Sequence, residues 1–79
     1  MIASEHAKRL QWRCRRGLLE LDVLLERFLT RYYENLSASD QETFAALLER
    51  SDQDLIDWLL VGKPAPSEFA GLVEVIARG

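Results

Sequence analysis

The sequence predicts an all-α fold, a compact five-helix bundle in a single small domain over residues 1–79. Apolar residues recur three and four positions apart along almost the whole chain, and the strict alternation of a half-buried strand is absent. Helix-starting serines and helix-stopping glycines cut that pattern at short intervals. Of the 79 residues, 48% are apolar and 29% charged, the balance of a folded domain with a thin core. A core this small leaves little room for a buried catalytic cleft, so size favours a binding module over an enzyme.

Ala3 to Arg15 reads as a basic first helix, with Leu10 and Cys14 four apart on one face. Gly17 falls where that pattern stops, as a break or a left-handed cap. Leu18, Leu21, Leu25, Phe28, Leu29 and Tyr32 then mark one long second helix, the strongest periodic signal in the chain. It ends around Asn35 and Leu36-Ser37-Ala38. Ser39 with Glu42 has capping-box spacing and predicts the start of a third helix, whose inner face is Phe44, Leu47 and Leu48. Ser51 and Asp52 start a fourth helix, Leu55, Ile56, Trp58 and Leu59 give it an apolar face, and Gly62 ends it. Lys63-Pro64-Ala65-Pro66 is a stiff connector, with Pro66 suited to the first turn of a fifth helix carrying Phe69, Leu72, Val73 and Ile76.

The net charge of -3 is unevenly spread. Through Arg16, five basic residues (Lys8, Arg9, Arg13, Arg15, Arg16) face one acid, Glu5; from Gly17 onward, five basic residues face twelve acids. A basic end on an acidic body can steer a partner's approach, although a solvated helix face has the same composition. The single cysteine, Cys14, forms no internal disulfide and fits a reducing compartment. The first residues lack the apolar run of a signal peptide, and no apolar run approaches the ~20 residues of a membrane span. The expected location is therefore the cytoplasm, with membrane association only through a partner.

The residues argue against most chemistry of their own. One His (His6) and one Cys (Cys14) match no zinc spacing. Asp52, Asp54 and Asp57 lack the glycine and the bidentate glutamate of a calcium loop and read as helix-capping acids. Cys14, flanked by Arg13, Arg15 and Arg16, is either a thiol of lowered pKa or, as its periodicity favours, a small core residue. No glycine-rich phosphate loop or dinucleotide fingerprint is present, so no cofactor is expected to be held by this chain. Lys8, Arg9, Trp12, Arg13, Arg15 and Arg16 form a basic stretch with an aromatic, but a pI near 5.0 speaks against a dedicated nucleic-acid binder.

Arg16-Gly17-Leu18-Leu19-Glu20-Leu21-Asp22 resembles the R-G-x-x-E-L-D signature of the succinate dehydrogenase assembly factor family, the flavinylation factors. Trp12-Arg13-Cys14-Arg15 precedes it, and Leu36-Ser37, Phe44…Leu47-Leu48-Glu49, Asp52-x-Asp54-Leu55-x-x-Trp58-Leu59 and Gly62-Lys63-Pro64 follow. The match in order and spacing runs from about Arg9 to Ile76.

The resemblance implies a five-helix bundle, the count reached independently above. It implies a cytoplasmic bacterial chaperone that is not an enzyme. Such a chaperone binds the flavoprotein subunit of succinate dehydrogenase, and in some bacteria that of fumarate reductase, and promotes covalent attachment of FAD to that partner. Carried over to this chain, it makes Arg16, Gly17 and Glu20 the core of a partner-binding site, with Arg15, Asp22 and Trp12 beside them. Arg15 or Arg16 can then grip a partner carboxylate, and Glu20 can pair with a partner arginine. A runner-up reading of the same family is an antitoxin that neutralises a small membrane protein, which also needs only a binding face.

Overall fold

The computed structural model describes residues 5–78, with side chains from Lys8 onward. Ala3 and Ser4, and the side chain of His6, lie outside the described residues. Within them the chain forms five helices and no strand: α1 (Glu5–Arg13), α2 (Leu19–Tyr32), α3 (Ala38–Leu47), α4 (Asp52–Leu55) and α5 (Ser67–Arg78). A single 3₁₀ turn, Tyr33–Asn35, extends α2, and a π-helical stretch, Ile56–Val61, extends α4.

α1 stops at Arg13, two residues before its predicted end, because the chain must turn at Gly17, which has a φ of 83°. Leu10 on α1 and Cys14, the residue after its end, are both buried, as their spacing predicted. α2 buries Leu21, Leu25, Phe28 and Leu29, a stripe repeating at four, three and one residues. That stripe is the floor on which α1 and α5 pack.

α3 begins earlier than the sequence predicted. Its cap is Ser37, whose Oγ accepts from the Asp40 N–H at 3.1 Å, and not Ser39. Ser39 lies inside the helix, where its carbonyl accepts from Thr43 Oγ1 at 3.0 Å. Both serines precede an acid by three residues, so local chemistry permits either start. The earlier one is locked by Gln41 Nε2, which donates to the Tyr33 carbonyl at 2.9 Å and joins α3 to the preceding turn. Phe44 then sits at the centre of the core, with ring centroids 5.0 Å from Phe28 and 6.0 Å from Tyr33.

Ser51 caps α4 as expected, its Oγ accepting from the Asp54 N–H at 3.1 Å. The π-helical stretch that follows was not foreseen. Its widened turn closes at Gly62, left-handed at φ 92°, where the N–H groups of Gly62 and Lys63 both return to the Asp57 carbonyl. Pro66 stands just before α5 and not in its first turn, its carbonyl accepting from Phe69 and Ala70 at 2.9 and 3.0 Å. α5 buries Phe69, Val73 and Ile76 against α2, α3 and the π-helical stretch. The Cα radius of gyration, 11.5 Å, is that of one compact domain of this length.

Candidate partner-binding site

The turn from Cys14 to Leu18, between α1 and α2, holds Arg15, Arg16 and Gly17, with Trp12 before it on α1 and Glu20 and Asp22 after it on α2. Its shape is fixed from both sides. Asp22, one turn into α2, accepts from the backbone N–H of Arg16 at 2.7 Å and of Gly17 at 3.2 Å. These bonds satisfy two backbone donors of the turn itself, while Leu18, the residue before the helix, offers no side-chain cap to α2. On the other side the Arg16 guanidinium reaches across the molecule. Nη1 donates to the carbonyls of Leu48 at 2.7 Å and Arg13 at 3.2 Å; Nη2 donates to Arg50 at 2.5 Å, and Nε to Asp52 at 2.7 Å. Arg13 ends α1, Leu48 and Arg50 follow α3, and Asp52 opens α4, so one side chain ties three chain ends together. Its donors are thus spent inside the chain, which leaves little of the fork to grip a partner carboxylate.

Gly17 is exposed, and a Cβ built there would meet no atom within 4 Å. Inside this chain the glycine therefore answers a need for positive φ and not a need for room.

The remaining residues face outward. Glu20 is exposed in the first turn of α2, and its carboxylate has no ion pair or hydrogen bond among the described residues. Trp12 is 73% exposed. The Arg15 guanidinium lies 5.6 Å from the Trp12 ring centroid while its Nε reaches Glu26 at 3.3 Å. The exposed indole is thus partly covered by a cation of its own chain, and both Trp and Arg are residue types enriched at interfaces.

Three residues of the basic end meet the acidic body: Arg13 with Glu49 at 3.9 Å, Arg15 with Glu26 at 3.3 Å and Arg16 with Asp52 at 2.7 Å. Much of the charge asymmetry seen in the sequence is thereby folded in, which weakens the nucleic-acid reading further.

Cys14 is fully buried, and burial pushes its thiol up to about 12, with Glu26 and Asp22 adding to the rise against the opposing pull of Arg16. It is a core residue and a poor nucleophile. The folded protein should resist iodoacetamide at pH 8, with labelling only once it is unfolded; rapid labelling of the native state would contradict this burial. The same shift fixes a pH dependence. The native thiol binds its proton more tightly than the unfolded one, so the stabilisation is complete below pH 9.0 and is lost as pH rises toward about 12.

Sequence reasoning missed an apolar surface beside Glu20. Leu19, Val23, Leu24 and Leu60 line, with Glu20, a shallow hollow of about 390 Å³. Leu19 and Val23 are four apart and out of phase with the buried stripe, which was the available signal; nothing local marked Leu60. A further hollow of about 430 Å³ has Trp58, Lys63 and Arg78 in its lining; two others suit a flavin poorly. One of about 270 Å³, lined by Lys8, Gln11, Trp12 and Arg15, is smaller than the ~300–1,000 Å³ of a cofactor pocket. The larger, about 530 Å³, is rimmed by Asp40 and Glu68, which repel a diphosphate. Among the described residues no group of three or more His, Cys, Asp or Glu is placed to hold a metal ion.

This small helical bundle thus combines a rigid turn, a surface carboxylate with no partner among the described residues and an uncovered apolar hollow. The chain belongs to the family described as the flavinator of succinate dehydrogenase (Sdh5), whose model matches residues 8–78. Among its relatives, a protein of Pseudomonas aeruginosa named FAD assembly factor SdhE is 46% identical over 77 residues, covering 96% of this chain and 92% of the relative. Proteins of the same name from Coxiella burnetii and Haemophilus ducreyi are 44% and 38% identical over 73 and 76 residues, covering 91% and 95% of this chain and 89% and 93% of the relatives. No solved structure matches the chain.

Proposed function

We propose that this chain binds the flavoprotein subunit of succinate dehydrogenase and promotes the covalent attachment of FAD to it, supplying no catalytic residue and keeping no flavin itself. The observation that carries this reading is family membership over nearly the entire chain. The geometry supports it: Asp22 and Arg16 build a fixed turn, while Glu20, Gly17, Arg15 and Trp12 are presented outward. Such a face can prefer one conformer of a partner, the one in which the partner's histidine and flavin are aligned. Alignment of reacting groups is worth several kcal/mol of barrier, and the shift is bounded by the difference in affinity for the two conformers. The fumarate reductase flavoprotein is a second substrate under the same logic. We read the setting as bacterial cytoplasm; the relatives are bacterial, and no described helix is long and apolar enough to cross a membrane.

The test is covalent flavin on each flavoprotein subunit, read as fluorescence on a denaturing gel, in bacteria with and without this gene. Loss of signal on deletion, restored by the gene, is expected. Full signal without the gene, with a small membrane protein co-purifying instead, would move the assignment to an antitoxin. Covalent flavin on the isolated chain would overturn its non-catalytic role.

A further inference from the structure

We infer that the hollow beside Glu20 seats a segment of the flavoprotein in which an apolar side chain stands next to a basic one. The inference rests on the function proposed above and names what that partner must present.

The hollow is built by two parts of the chain that share no motif. The first turns of α2 supply Leu19, Val23 and Leu24, and the end of the π-helical stretch supplies Leu60. Leu19 is 80% exposed, Val23 41% and Leu60 39%. Leaving leucine and valine side chains in water is unfavourable, and a cluster of them beside a polar rim marks a contact surface. The π-helical stretch buries Leu55 and Leu59 in and around itself while Leu60 and Val61 stay outside. π turns are rare and concentrate at functional sites; here the turn ends at the left-handed Gly62 and delivers Leu60 to α2.

Glu20 is the only charged residue lining the hollow, and no cation of this chain answers it among the described residues. A carboxylate at the edge of an apolar hollow selects a cationic group whose neighbour is apolar. The surface is also continuous along the chain with the Gly17 turn, which lies three residues before Glu20. A neutral or acidic segment would leave Glu20 desolvated without a partner, which costs affinity.

The experiment measures the affinity of the full chain for the purified flavoprotein subunit over a range of salt. It compares the wild type with Leu19→Ser, Leu60→Ser, Glu20→Gln and, in the 530 Å³ hollow rimmed by Asp40 and Glu68, Val75→Ser. Both serine variants of the hollow should weaken binding about tenfold, with the salt dependence of the wild type. Glu20→Gln should weaken binding and flatten the salt dependence, because only the charge is removed. Val75→Ser should bind as the wild type does. Leu19 is the safeguard against misfolding, since its side chain is almost entirely in water. Wild-type affinity in both Leu19→Ser and Leu60→Ser would overturn the inference and leave the proposed function standing. A wild-type chain that fails to bind the flavoprotein would overturn both. Self-association that weakens in the two leucine variants, with flavoprotein binding unchanged, would make a second copy the occupant and also refute the inference.

Discussion

Arg16→Ala should destabilise the fold by about 3 kcal/mol. The side chain is only 15% exposed, and its guanidinium serves three backbone carbonyls and the Asp52 carboxylate. The carbonyls lie at or just beyond the C-termini of α1 and α3, where no helical N–H is left to satisfy them and where the helix dipoles favour a cation. Hydrogen bonds to a charged group contribute roughly 1.5–3 kcal/mol each when buried, and water recovers part of the loss at this half-open site. Arg16→Lys should restore less than half, because an ammonium cannot span a fork of donors aimed at separate segments. Urea unfolding checks both: for a protein this small, with m near ~1 kcal/mol/M, the alanine variant should unfold at a midpoint lower by about 2–3 M. A change below about 1 kcal/mol would mean that water satisfies these carbonyls equally well. The consequence for function is specific. Arg16 acts on the site through its shape, so the Lys variant should regain activity at low temperature in step with its folded fraction.

This role was not legible in the sequence. Arg16 stood inside a recognisable motif, but its partners Leu48, Arg50 and Asp52 lie 32 to 36 residues away. No local pattern could assign its donors. The helices were legible for the opposite reason. Leu21, Leu25, Phe28 and Leu29 declare α2 by spacing alone, and Ser51, Gly62 and Gly17 declare their breaks by chemistry that acts over three or four residues. Where two local solutions competed, local reasoning failed. Ser37 and Ser39 are equivalent as caps, and the Gln41 side chain on the Tyr33 carbonyl favours the earlier start. The π-helical stretch left no trace because Leu55 and Leu59 are four apart in either helix type. The same limit hid Leu60, whose position beside Glu20 is a property of the packed bundle and not of any segment.

Glu20 is the complement of Arg16: its loss should abolish function and leave the fold intact. The carboxylate is exposed and makes no ion pair or hydrogen bond among the described residues, so Glu20→Ala removes no internal contact. Its placement in the first turn of α2 is favourable toward the helix dipole, but at the surface that is worth only about 0.3–1 kcal/mol. The urea midpoint should accordingly move by less than 1 M. If a partner cation closes on Glu20, the alanine variant leaves that cation buried and unpaired, a cost of about 2–5 kcal/mol. That is at least about thirtyfold in affinity. Covalent flavin on the succinate dehydrogenase flavoprotein should then fall to the level of the deletion strain, in cells where the variant accumulates normally. Glu20→Asp should be intermediate, since it keeps the charge but draws it back by one methylene. Glu20→Ala with normal flavinylation would remove Glu20 from the site, whatever its place in the motif. A large fall in the urea midpoint would instead make it a structural residue, which its exposed, unpaired position argues against.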